Sequence, residues 1–360
     1  MLQKRWFHVL TFFIMLFLLI WLISVTDFIF QPMFQYMGAV AIPIIGAGIL
    51  FYVTKPVVHL LMRFKINKTL AIVIVFLLLI GIGTFISLFI APIAQRQFTN
   101  LIDNIPVMVE WAQDLIEEFQ SGKFVFPEEV NNAINDFTNN LQQHIESVIN
   151  YLFGFIGQII SVVTALVLVP FFLFFMLKDG DKLVQFITQI FSKKKADNLR
   201  SLLHKVDEVL TSFIQGQLIV SFVLGLLLYI GYLIIGLKYA LTLGIFGMVM
   251  NVVPFIGPFI AVTPALIVGA FQDPMMIIWV SLITLIAQQL ESNFISPNVM
   301  GRALEMHPLT IITVILAAGS IAGFIGILFA VPFYAVIKTI IIHFYQTYKA
   351  SKDNEEDALI

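Results

Sequence analysis

The stretch Leu241–Phe271, LTLGIFGMVMNVVPFIGPFIAVTPALIVGAF, is apolar enough for lipid and too broken for a simple membrane helix. Pro254, Pro258 and Pro264 lie inside it, and Asn251 stands three residues before the first of them. Each proline removes a backbone donor and clashes with the carbonyl one turn back. In hydrocarbon an unpaired carbonyl is costly, so broken backbone at membrane depth belongs where protein or a wet cavity satisfies it. A single proline would read as a kinked helix touching no solute. Three prolines with an asparagine point to a transport pathway around Asn251–Pro258, Gly257 included. The carbonyls of Met250 and Pro254, one turn before Pro254 and Pro258, are expected to be free acceptors there.

The remainder of the chain agrees with a membrane setting. It is 59% hydrophobic and only 12% charged, with a mean hydropathy of +0.97. Several apolar runs approach or exceed the ~20 residues that cross ~30 Å of hydrocarbon. The fold class is therefore all-α: a polytopic helical membrane protein with about eight membrane segments, broken or re-entrant segments in its C-terminal half, and an amphipathic helical insert. The runs lack the alternation of a transmembrane β-barrel. The absence of cysteine excludes disulfides, thiolate metal sites and cysteine nucleophiles. No basic stripe suits nucleic acid. Lys4-Arg5 precede an apolar run, Phe7–Val25, that lacks a small-residue cleavage pattern, so it reads as a retained helix.

Spans are expected at Phe7–Val25, Met37–Val53, Leu70–Ile93, Tyr151–Leu177 and Phe213–Ile235, then the broken Leu241–Phe271, Met275–Leu290 and the long Leu309–Ile342. The resulting organisation is three helices in 1–93, an extracytoplasmic insert in 94–150, a fourth helix in 151–177, a basic amphipathic linker in 178–212, a transport region in 213–343 and a polar tail in 344–360. Lysine and arginine collect in alternate linkers, at Lys4 and Arg5, at Lys55 to Lys68, and at Lys178 to Lys205. That bias puts both termini on the cytoplasmic side of the cell membrane. The insert carries an apolar stripe, Val130, Ile134, Phe137, Leu141, Ile145, Val148 and Leu152, at helical spacing. It suits a subunit contact, packing on its own hairpin partner or a place at the lipid interface. Both over-long segments contain breakers, the second at Gly319, Gly323, Gly326 and Pro332. Two re-entrant hairpins are preferred over two crossings, because Arg302 then falls on the positive side.

Enzyme chemistry is unsupported, since the six histidines are scattered and no hydrolytic, phosphate-binding or metal-ligating motif is present. No cofactor is implied, and His307-Pro308 reads as a turn or cap. Polar residues within the apolar runs are more telling, because membrane burial makes them expensive. Gln215 and Gln217 open the fifth span, while Gln288, Gln289 and Glu291 close the seventh, followed by Asn293, Ser296, Pro297 and Asn298. Gln288 and Glu291, three apart, share a helix face. Glu291 can accept a proton, bind a cation or hydrogen-bond a polar solute; the plain alternative is a headgroup-level charge near Arg302.

These blocks resemble the autoinducer-2 exporter family of bacterial multi-pass membrane proteins. The resemblance rests on PFFLFFMLKDG at Pro170–Gly180, FIQGQL at Phe213–Leu218 and NVVPFIGPFIAVTPALI at Asn251–Ile267. It continues with QQLESNFISPNVMGRALEMHPLTII at Gln288–Ile312 and GFIGILFAVPFYAVIK at Gly323–Lys338. Phe255 stands where the family often has tyrosine, and Arg302 where lysine is common. The resemblance implies an exporter of an autoinducer-2-like solute or a sodium or lithium/proton antiporter, assembled as a homo-oligomer such as a pentamer. The first is the expected function. No carboxylate is seen inside any expected span, which counts against the antiporter. A structural or signalling membrane protein is the alternative of another class.

Overall fold

Apolar segments in lipid must pair their own backbone groups, and the helix does this locally. Every regular element described is helical. The computed structural model describes residues 5–104, 107, 168–300 and 306–357. Helix α1 (Arg5–Val25) is separated from α2 (Asp27–Arg63) by Thr26 alone. Next come α3 (Lys68–Phe85), a π turn (Ile86–Ile90) and α4 (Ala91–Asp103). The chain resumes with α5 (Val169–Thr188), α6 (Lys193–Ile234), α7 (Ala240–Met250), α8 (Gly257–Gln272) and α9 (Pro274–Leu290). A second π turn (Glu291–Ile295), α10 (Ser296–Met300) and α11 (Pro308–Asp357) complete it. The insert's Val130–Leu152 stripe and most of the fourth expected span lie outside the described residues.

Two expected boundaries move. Residues 27–36, read as a linker, are helical, and α2 runs through Pro32, Pro43 and Pro56 without ending. Pro56 cannot donate to the Tyr52 carbonyl, and Gln215 Nε2 donates to that carbonyl instead at 2.6 Å. A neighbouring helix thus satisfies the group that the proline frees. The seventh span likewise does not stop at Leu290, since the π turn carries the helix on to Met300.

One body packs α2, α3 and α5 around Ala47, Ala71, Ile72, Val75 and Leu173. The other is built along α6, whose 42 residues reach about 63 Å at ~1.5 Å per residue. Lys55 bridges the two bodies through Asp207 at 2.8 Å. At the opposite end of α6, Gln97 on α4 accepts from the Thr242 hydroxyl at 2.8 Å.

The two broken segments are helical hairpins. Helix α7 lies antiparallel on α6, with Met248 over Gly225 and Tyr229 over Gly244. Its partner α8 returns beside it to the same end, where Gln272 Nε2 donates to the Gly236 carbonyl at 2.8 Å and Gln272 Oε1 accepts from Lys238 N at 2.9 Å. Eleven residues of α7 reach only about 16 Å, roughly half of a ~30 Å hydrocarbon core. Helix α11 breaks at Ala322 and Gly323, where Gly323 takes φ 58° and ψ −137°. Beyond the break Gly326 lies on the Ala318 carbonyl and Ile327 on Gly319, so the second arm doubles back on the first. Each broken segment doubles back on itself, and the second one's return arm, Ile325–Lys349, is long and apolar enough to cross a membrane. Their ends lie at opposite ends of α6: His343, on the second hairpin's return arm, is bound by Asn198 at 2.8 Å and lies 3.4 Å from Lys205.

Candidate functional site

The first hairpin's tip, Asn251–Ile256, closes on itself. Val253 N donates to the Met250 carbonyl at 3.1 Å, and Ile256 N donates to the Pro254 carbonyl at 2.8 Å. The two acceptors expected to be free are therefore occupied by the tip's own amides. Tightness at this turn requires Gly257, because a Cβ there would collide with the Met250 carbonyl. Phe255 is forced to φ 66°, a left-handed backbone that costs a bulky residue about 1–3 kcal/mol.

What the tip presents is Asn251, only 1% exposed. Its carbonyl accepts from Gln217 Nε2 on α6 at 2.5 Å, and its Nδ2 donates to Glu291 Oε1 at 3.2 Å. Ser221, one turn beyond Gln217 on α6, is buried as well. The oxygens Ser221 Oγ, Asn251 Oδ1 and Glu291 Oε2 are buried and have no hydrogen-bond partner among the described residues. The tip and Glu291 thus keep unspent oxygens beside their mutual hydrogen bond, and α6 buries a third one turn from Gln217.

Glu291 is not at a span end. Ile283 packs on Gly231 and Met300 on Gly216, so α9 through α10 runs antiparallel along α6. Glu291 falls about midway between those two contacts, within the crossing helix and opposite the middle of α6's apolar half. The sequence pattern ends this apolar run at Leu290, whereas the helix long and apolar enough to cross a membrane runs Pro274–Met300 and holds the carboxylate. The π turn is the reason: the Ser296 N–H reaches back to the Glu291 carbonyl, and the wider turn carries the helix past Pro297.

A cavity of about 860 Å³ opens beside this junction. Gln217, Gln288, Glu291, Ser292 and Ser296 form a polar strip along it, with Ser281 and Thr284 above. Phe255, Phe259, Val262, Leu266, Leu285 and Met306 supply the apolar wall. Pro254, Pro258 and Pro297 line it too, as do Ile311 and Val331 from the two arms of the second hairpin. Val253 at the first tip shares a buried cluster with Ile315 and Ala330 of those arms.

A family model described as AI-2E family transporter matches residues 10–346. The chain belongs to the AI-2E transporter family. YueF of Bacillus subtilis (strain 168) is 35% identical over 341 residues, covering 92% of this chain and 91% of its own. PerM of Escherichia coli (strain K12) is 25% identical over 319 residues, with 87% and 89% covered. A Halobacillus andaensis protein named sodium-lithium/proton antiporter is 22% identical over 323 residues, with 85% and 90% covered. The chain is thus a multi-pass helical membrane protein of a transporter family.

In this AI-2E chain the structure gathers Gln217, Asn251, Pro254, Gly257, Pro258, Gln288, Glu291 and Pro297 around the tip and cavity. Met250 is buried behind the tip. Three expected residues go elsewhere. Gln215 serves the Tyr52 carbonyl, whereas Gln289 accepts from Asn293 Nδ2 at 2.8 Å on the exposed face of the same helix. His307 behaves as a cap, its Nδ1 accepting from Leu309 N at 3.3 Å. Sequence reasoning missed Ser221, although its place four residues after Gln217 puts both on one helix face. It also missed Thr284 and Phe259, which nothing distinguishes from lipid-facing neighbours until α8 and α9 are set side by side. Among the described residues no group of three ligating His, Cys, Asp or Glu side chains could hold a metal ion.

Proposed function

We propose that this protein is a secondary transporter that exports a small organic solute, its polar groups held, as those of autoinducer-2 would be, by Gln217, Gln288 and Glu291. The observation that carries the reading is the Asn251–Glu291 hydrogen bond, which joins a re-entrant tip to a crossing helix at the wall of the cavity. Half-helices meeting at mid-membrane beside a polar strip are the recurrent construction of solute sites in secondary transporters. The lysine-rich end of α6, with His343 beside it, is taken as cytoplasmic together with both termini. Residues 213–343 would then be the transport region, 94–150 the outer insert and 178–212 the cytoplasmic linker. The family resemblance supports a homo-oligomer, a pentamer being one form, with the exposed apolar faces of α1 available to lipid or to another subunit.

A second reading is cation/proton antiport. It is favoured by the position of Glu291 within the crossing helix, where a carboxylate can exchange a proton for sodium, and by the name of the Halobacillus andaensis relative. Flux into proteoliposomes separates the two. A labelled polar solute should move in wild-type protein and move with altered affinity in Glu291→Gln. A sodium-dependent proton response that is lost in Glu291→Gln selects antiport, and no flux of any kind would sink transport altogether.

A further inference from the structure

We propose that the occupant of the cavity is an amphipathic organic monocation, its charged group on Glu291 and its apolar body between Phe255 and Phe259. The inference rests on the transport reading and takes its solute to be a cation in place of an autoinducer-2-like molecule. Size is the first argument. About 860 Å³ lies within the ~300–1,000 Å³ of small-molecule sites and far exceeds what a bare monovalent ion fills.

The wall is the second argument. Beyond the strip from Gln217 to Ser296 and the hydroxyls of Ser281 and Thr284, the lining consists of aromatic, aliphatic and methionine side chains. A polyol placed there would set hydroxyls against carbon, where each unpaired group is penalised. An apolar body gains by the same contact, and Met300 and Met306 can adapt to its shape. The left-handed backbone at Phe255 holds its ring at the tip, where a cation over an aromatic face is stabilised.

Charge is the third argument. No lysine, arginine or histidine pairs with Glu291 among the described residues. One carboxylate oxygen takes the Asn251 amide, and the other is buried and unpartnered. The Gln217 amide is already spent on the Asn251 carbonyl. A solute cation would give that carboxylate a partner of opposite charge. A lipid acyl chain would suit the wall but leave the carboxylate as it is.

The test uses tetraphenylphosphonium and tetraphenylborate, which match in size and shape and differ in charge. Binding to purified full-length protein in nonionic detergent is measured by equilibrium dialysis, with partitioning into protein-free micelles subtracted. Phosphonium should saturate and bind about tenfold or more tightly than borate. Glu291→Gln should weaken phosphonium by a similar factor and leave borate bound as well as before or more tightly, which also shows that the variant's cavity is intact. Equal affinities or a preference for borate in the wild type would overturn the class without any mutant. Phosphonium binding that is indifferent to Glu291→Gln in a variant that still binds borate would overturn it as well. Either failure leaves the proteoliposome flux test of the transport reading to stand separately.

Discussion

Adding one methyl group at Gly257 is the most discriminating small perturbation of the tip. A Cβ there would overlap the Met250 carbonyl oxygen, lie 2.7 Å from its carbon and 3.0 Å from the Asn251 Cα. All three are backbone atoms, so no side chain can swing away to relieve the clash. The tip must open by roughly 1 Å to regain ordinary contact, and overpacking of this kind costs about 1–3 kcal/mol. The opening acts on Asn251, whose hydrogen bond to Glu291 is already 3.2 Å long and has no slack before it is lost. Gly257→Ala should therefore lower the unfolding temperature in detergent by a few degrees and cut solute flux in proteoliposomes by about tenfold. Gly81→Ala is the control, because a Cβ at Gly81 meets nothing within 4 Å. It should be neutral or stabilising by up to about 1 kcal/mol. If the two variants showed equal melting temperatures and equal flux, the close-approach reasoning would be wrong.

Gly323→Ala meets no atom within 4 Å yet must take φ 58° and ψ −137°, so differential scanning fluorimetry should report a loss of about 1–3 kcal/mol despite the open space. Because the chain has no cysteine, single cysteines report sidedness: Asn298→Cys and Lys349→Cys should be labelled from one face by an impermeant maleimide and Asp273→Cys from the other. Labelling of Asn298→Cys together with Asp273→Cys would contradict the hairpins. Lys55–Asp207 joins the two helical bodies with both side chains about a third exposed, so a double-mutant cycle should give a coupling of about 1 kcal/mol. The Lys182 hydrogen bond holds the Asp179 carboxyl below its usual range. Any stability it adds is present at neutral pH and lost as pH falls through that lowered value. A carbon-13 NMR titration should find Asp179 returning toward the ordinary carboxylate range in Lys182→Met.

Much of the hairpin architecture was legible because prolines and glycines interrupt apolar runs that are otherwise unambiguous. Pro254 and Gly323 mark the two tips, although Pro264 and Pro332 sit inside helix without ending it. Depth was the harder quantity. The run of polar residues from Gln288 to Asn298, with Pro297 inside it, reads as the end of a span, and only the π turn makes it the middle of one. Gln215 looked like a pathway residue because a buried amide needs a partner. That partner is a carbonyl 163 positions away, exposed by a proline in another helix, and no local pattern encodes it. Occupation of the Met250 and Pro254 carbonyls was hidden for a similar reason, since it depends on the tip's turn geometry.

The π turn at Glu291–Ile295 bears on how this segment tolerates changes in length. It holds one residue more than the α-helical turn it replaces, so deleting one residue there would yield a regular helix rather than a broken one. The wider turn takes up its extra residue within one turn, so Ser296, Pro297 and Met300 would keep nearly the same phase relative to Gln288, and only the bulge at Glu291 would be lost. A single-codon deletion, ordinarily ruinous in a helix packed along its length, is at this position a step between two well-formed crossings. Both present the same residues to the cavity, and they differ in the width of the turn that holds Glu291.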